Sequence, residues 1–171
     1  MTKRRMFDYR FVPRRERALI LACMLFWSII SYELISRYVL RATLVVGTSM
    51  EPGLRAGERR IVKRWPLYFR DPHRGEIIAF RLPQYDSLSV KRVIALPGDT
   101  VQVLNGRVYV RGRPVEEPYL QPGCETGAWG TWSGMRVLEA ERYFVLGDNR
   151  GESLDSRMFG PVRREWIVGM L

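Results

Sequence analysis

A chain of 171 residues with 46% hydrophobic and 27% charged residues excludes a disordered polymer and suits one domain with a proper core. The formal net charge of +10, mostly arginine, fits nucleic acid, a membrane surface or plain solubility, so its distribution along the chain has to decide. With Cys23 inside an apolar run, Cys124 has no evident partner, and the lone His73, between Pro72 and Arg74, reads as a solvated loop residue; neither a disulfide framework nor a zinc site is expected.

Charge gathers first at the amino terminus, where MTKRRMFDYRFVPRRER (1–17) holds seven basic residues against Asp8 and Glu16. The run ALILACMLFWSIISYELISRYVL (18–40) follows, uncharged from Ala18 to Ile30. About 20 helical residues cross a hydrocarbon layer of ~30 Å. Residues 18–38 therefore suffice for a transmembrane anchor with Glu33 near the far interface and Tyr32 and Tyr38 as interfacial aromatics. A buried amphipathic helix would need a polar face, and a cleavable leader would need an A-x-A-like site after the run. A permanent anchor fits better. The preceding basic cluster then keeps residues 1–17 in the cytoplasm and places a domain of residues 41–171 outside, which disfavours nucleic acid as the partner of the remaining charge.

Beyond the anchor the pattern predicts strands. RIVKRW (60–65), EIIAFRL (76–82), SVKRVIAL (89–96) and RYFVLGD (142–148) are rich in β-branched and aromatic residues, and the last is the final clear strand. VQVLNGRVYV (101–110) predicts a hairpin about a two-residue type I′ turn at Asn105-Gly106. RGRP (111–114) reads as a further turn, and the Gly-rich QPGCETGAWGTWSGM (121–135) as an irregular loop. Many short strands separated by turn signals predict a mostly β, antiparallel sandwich or barrel.

Three stretches concentrate candidate chemistry. In VVGTSMEPGL (45–54), Ser49 is either turn punctuation or a nucleophile. Along strand 89–96, alternation puts Lys91 on a face with Val93 and Ala95, and Arg92 on a face with Val90 and Ile94. These cations are either side chains snorkelling from a strand end or site residues. Only Lys91 can act as a base, because arginine stays protonated. LGDNRGESLDSRMFGPV (146–162) crowds Asp148, Asn149, Arg150, Glu152, Ser153, Asp155, Ser156 and Arg157 after an apolar strand. This is either a solvated loop or the frame that a buried lysine would need.

GTSMEP, RGEIIAF, VKRVIALPGD and GDNRGESLDSRMFGPV occur in the order and character of the sequence boxes of bacterial type I signal peptidases, the membrane-anchored serine proteases that remove signal peptides. The chain resembles that family from the anchor to its last residues. The resemblance implies Ser49 as nucleophile, Lys91 as general base, and Ser153 as the hydroxyl that orients the lysine amine. Asp148, Asp155, Arg157 and Arg92 would hold the site together, and Met50 would border the substrate cleft. The implied fold is antiparallel β with small barrel-like sheets. The implied partners are signal-peptide-bearing precursors with small residues at the −1 and −3 positions, together with membrane lipids; no cofactor or metal is implied. Gly47 stands where some members carry an oxyanion-hole serine, which leaves only the Ser49 N–H as an expected donor. Gly53 stands where threonine is common, and the Cys124 loop lacks a second cysteine. RWPLYFR (64–70) is either a packed loop or a segment that dips into the headgroup layer.

A specialised peptidase for pilins or conjugation proteins would look the same in sequence. An idle membrane-tethered binding module would not need Ser49, Lys91 and Ser153 together. A self-cleaving repressor would need a DNA-binding domain where the anchor stands.

Overall fold

The computed structural model describes residues 13–85, 87–128 and 132–171, so residues 1–12 of the basic cluster and part of the Gly-rich loop lie outside the described residues. The chain forms two compact units, the second running from Val39 to Leu171.

The described part of the first unit is helix α1, Arg14–Leu34, which follows Pro13 and passes into a π-helical turn, Ile35–Val39. No residue of α1 is buried, although Leu19, Ile20, Met24, Phe26, Trp27 and Ile29 lie on it. A helix apolar on every side and buried on none has lipid as its natural solvent. Its 21 residues are long and apolar enough to cross a membrane.

The second unit is mostly antiparallel sheet, as the strand pattern predicted. One sheet has seven strands in the order β1-β2-β11-β3-β4-β9-β10: β1 Leu40–Leu44, β2 Arg59–Lys63, β3 Ile77–Arg81, β4 Leu88–Ala95, β9 Arg142–Leu146, β10 Val162–Arg163 and β11 Ile167–Met170. The other has four, β7-β6-β5-β8: β5 Thr100–Leu104, β6 Arg107–Val110, β7 Arg113–Pro114 and β8 Arg136–Val137. The hairpin β5–β6 turns at Asn105 (φ 48°) and Gly106 (φ 75°), with Leu104 opposite Arg107, as Asn-Gly predicted.

Four details depart from the sequence expectation. RIVKRW is a strand only to Lys63, because Arg64 turns helical (φ −90°, ψ −32°) and Pro66 enters a 3₁₀ turn, Trp65–Tyr68. Only Arg111-Gly112 of RGRP is turn, while Arg113–Pro114 pairs with β6. RYFVLGD is not the last strand, since β10 and β11 follow it. Within the large sheet, β11 pairs with both β2 and β3. A Cβ on Gly169 would stand 2.4 Å from Val62 Cγ1, so glycine is what lets β11 lie against β2.

The fourth departure is in β4. Its pairing with β9 shifts register between Val93 and Ala95. Val93 joins the core cluster of Ile78, Phe80, Val145 and Met170, whereas Ile94 and Ala95 both join the cluster of Val101, Val108, Phe144 and Leu146. The bulge breaks strict alternation, so Ala95 does not share a face with Lys91 and Val93.

Candidate active site

Ser49 lies in the loop joining β1 to β2. Met50, 1% exposed, packs with Val45 and Leu54 and anchors the loop beneath the serine. Leu54 N donates to Met50 O at 2.8 Å and Glu51 N to Thr48 O at 3.0 Å. Gly47 has φ 87°, and a Cβ there would meet nothing within 4 Å. Glycine is required at 47 by the left-handed backbone rather than by space, which accounts for the missing hydroxyl. The loop is stitched to the 147–153 segment: Asn149 N donates to Ser49 O at 3.1 Å, and Thr48 Oγ1 to Glu152 Oε2 at 2.9 Å.

Lys91 comes from the middle of β4, where it pairs with Ile78 of β3. It is 5% exposed, and its Nζ donates to Ser49 Oγ at 2.6 Å. Residues 42 positions apart in sequence are thus brought to hydrogen-bonding distance. Burial lowers the amine to a pKa of about 8, against the opposing pull of Asp155 and Asp148; Arg157 adds to the lowering. A neutral amine can take the proton of the hydroxyl it touches, and an alkoxide formed there is a competent nucleophile.

A charged frame backs the pair. Arg92 grips Asp148 with two bonds, Nε to Oδ1 at 2.8 Å and Nη2 to Oδ2 at 2.6 Å, and donates to Gly75 O at 2.8 Å. Arg157 grips Asp155 in the same way, at 2.8 Å for each bond. The free lone pairs of Asp155 accept from Gly147 N and from Arg157 N, the latter opening the short helix α2, Ser156–Phe159. Ser156 Oγ accepts from Val145 N. Both carboxylates are fully buried, so each depends on its arginine.

Ser153 departs from expectation. Its hydroxyl is buried with no hydrogen-bond partner among the described residues, and it does not bond the Lys91 amine. The hydroxyl lies against the Cα of Gly147, where an added Cβ would stand 2.1 Å from Ser153 Oγ and 2.4 Å from Ser49 O. Gly53, which stands where threonine is common, is likewise a close approach, since its Cβ would stand 2.5 Å from Asp148 Oδ2.

Sequence reasoning gave no role to Gly147, Asn149, Arg150 or Glu152, all in the 146–162 stretch, and it missed Thr48, Glu117, Tyr119 and Thr126. The signal available was the crowding of Arg150 beside Asp148, which leaves a second buried cation in need of an acid. The substrate-sized space was also unassigned. A cleft of about 220 Å³ opens beside Ser49, lined by 43–46, Met50 and 87–91. Its walls mix apolar side chains, among them Leu44, Val46, Leu88 and Val90, with the hydroxyls of Thr43, Ser87 and Ser89, and its size suits small side chains rather than a drug-sized ligand.

Residues 17–171 match the family described as signal peptidase, peptidase S26. A protein named signal peptidase I from Leptolyngbya laminosa is 38% identical over 143 residues, spanning 79% of this chain and 68% of its own. Signal peptidase I V of Bacillus subtilis (strain 168) is 37% identical over 136 residues, spanning 74% of this chain and 80% of its own. Signal peptidase I P of Bacillus subtilis subsp. natto is 34% identical over 164 residues, spanning 92% and 84%. The crystal structure of a signal peptidase I from Enterococcus faecalis V583 aligns with a TM-score of 0.51 at 32% identity, covering 60% of this chain and 97% of that one.

Proposed function

Because this chain belongs to the signal peptidases, peptidase family S26, we propose that Ser49 and Lys91 form the dyad with which it cleaves signal peptides. The protein is a membrane-anchored serine endopeptidase of the signal peptidase I type. The observation that carries the dyad is the 2.6 Å contact between a buried lysine amine and the Ser49 hydroxyl. Neutral Lys91 removes the hydroxyl proton as Ser49 Oγ attacks the scissile carbonyl. The ammonium so formed protonates the leaving amine. Water then hydrolyses the ester, with Lys91 again as base. The Ser49 N–H is the donor available to the developing oxyanion. Asp148, Asp155, Arg157 and Arg92 frame the pair, and Ser153, unbonded at rest, is the hydroxyl that would orient the amine during the reaction.

The substrates in this reading are exported precursors with small residues at −1 and −3, which the narrow cleft between 43–46 and 87–91 supports. The amino terminus is cytoplasmic and the second unit extracytoplasmic. Trp65, Tyr68 and Phe69, all exposed, contact the headgroup layer. Support for that comes from the composition of the turn, exposed aromatic rings flanked by the cations Arg64 and Arg70, which suits an interfacial layer.

The test is incubation of the detergent-solubilised full chain with a signal-peptide-bearing precursor, followed by sequencing of the new amino terminus. Cleavage after a small residue, lost in Ser49→Ala and Lys91→Arg, is expected. Turnover retained by Lys91→Arg would rule out the dyad, since guanidinium cannot serve as the base.

A further inference from the structure

We propose that Tyr119, on the arm following β7, is a positioning residue for the dyad, acting through the guanidinium of Arg92 and the carboxylate of Asp148. The proposal rests on the reading of Ser49 and Lys91 as nucleophile and base. Arg92 Cζ sits 4.0 Å from the centre of the Tyr119 ring, so the guanidinium has Asp148 at its edge and an aromatic face on its plane. The ring is itself held, as Tyr119 OH donates to Glu117 Oε1 at 2.8 Å. Burial raises the phenol's pKa further, so it remains a donor at neutral pH.

Glu117 in turn pairs with the buried Arg150, by Nη1 to Oε2 at 3.0 Å and by a second, shorter bond from Nη2 to Oε1. Arg150 also donates from Nη1 to Thr126 Oγ1 and from Nε to Gly147 O at 3.0 Å. The arm thus reaches both sides of the Gly147-Asp148 dipeptide, through Arg92 on Asp148 and through Arg150 on Gly147. That dipeptide is the floor of the site, because Gly147 packs against Ser49 O and Ser153 Oγ.

The consequence falls on Lys91. The charged groups acting on its amine are Asp155 and Asp148, which favour the ammonium, and Arg157, which opposes it. Arg92 neutralises Asp148. A guanidinium released from the ring would leave that carboxylate freer to hold the lysine charged.

The test is the pH profile of kcat/KM on a soluble peptide, using the full detergent-solubilised chain, for wild type, Tyr119→Phe, Tyr119→Leu and Lys91→Arg. Tyr119→Leu is expected to lose about threefold in kcat/KM at pH 7, because below the amine's pKa a rise of half a unit lowers its neutral fraction about threefold. The loss should fall in kcat with KM little changed, and the acid limb should move up by roughly half a pH unit. Tyr119→Phe keeps the ring and should restore the wild-type limb. A Tyr119→Leu profile that overlays wild type while Lys91→Arg is dead overturns the clamp and leaves the dyad standing. An active Lys91→Arg removes the dyad instead. If Tyr119→Leu does not fold, Tyr119→Met replaces it. Failure of both to fold beside a folded Tyr119→Phe would make the ring an element of the fold and overturn the proposal.

Discussion

Burying a lysine costs stability and supplies a base, and at Lys91 the two effects can be measured separately. With the active form neutral and the folded pKa at about 8, kcat/KM is expected to rise with pH through about 8 and level off above it. The stability effect has a definite sign. Between about 8 and the ordinary value of 10.5 the unfolded chain holds a proton that the folded chain has lost, so stability rises with pH across that window. Lys91→Met should therefore be inactive yet more stable than wild type at pH 7, by about 3 kcal/mol. That advantage should shrink to about 1 kcal/mol at pH 10, as urea melts at the two pH values would show. A constant advantage at both values would mean that the amine is not desolvated. Ser153 gives the complementary case. Deleting a buried hydroxyl that has no partner among the described residues is expected to leave the melting temperature unchanged or to raise it, by up to about 1 kcal/mol of stability. The turnover rate of Ser153→Ala should nevertheless fall, with its acid limb displaced upward, if the hydroxyl orients Lys91 during the reaction. A large drop in melting temperature would show instead that the hydroxyl is bonded in the folded protein.

Among the elements, the segment after β9 is where short-range and long-range signals meet. Gly147→Ala drives a methyl into Ser153 Oγ and Ser49 O, whereas Gly151→Ala meets nothing within 4 Å. The first is expected to lose at least about a hundredfold in kcat, with about 1–3 kcal/mol of stability, and the second to match wild type in both. Equal behaviour of the two variants in a melt and a rate assay would mean that the nucleophile loop does not rest on Gly147. The same segment shows what sequence could and could not reveal. β4 and the β5–β6 hairpin were legible because β-branched runs and Asn-Gly act locally. The polar crowding at 148–157 was legible only as a choice between a solvated loop and the frame of a buried lysine, and the family resemblance favoured the frame. β1, β8, β10 and β11 were not legible, since two to five residues become strands only through pairing partners far along the chain, and β7, which pairs with β6 across Arg111-Gly112, is only two residues long and ends in a proline. The bulge at Val93–Ala95 was hidden for the same reason, as the register shift is set by β9. Tyr119 could not be found from sequence, because its partner Arg92 is brought to it only by the fold.

At the scale of the whole molecule, the +10 charge matters through its placement. The exposed Trp65, Tyr68 and Phe69 stand between Arg64 and Arg70. Exposed aromatics flanked by cations favour the interfacial layer. The double variant Trp65→Ser/Phe69→Ser is expected to cut a short soluble peptide at the wild-type rate and to cut a precursor embedded in anionic vesicles severalfold more slowly; equal losses on both substrates would place these rings in the fold instead. Orientation follows from the other end. Seven cations lie within residues 1–17 against two acids, and the last three, Arg14, Arg15 and Arg17, open the 21-residue helix whose apolar run follows from Ala18. Each cation near a membrane end resists translocation, so the cluster should stay in the cytoplasm and the second unit outside. Protease added to intact spheroplasts is expected to degrade 41–171 and to spare a fragment containing 1–17. Replacing Arg14, Arg15 and Arg17 by glutamine should weaken that bias and leave a measurable fraction of chains inverted. Complete protection of the second unit in the unmodified chain would reverse the topology, and it would put Ser49 on the side of the membrane that exported precursors are leaving.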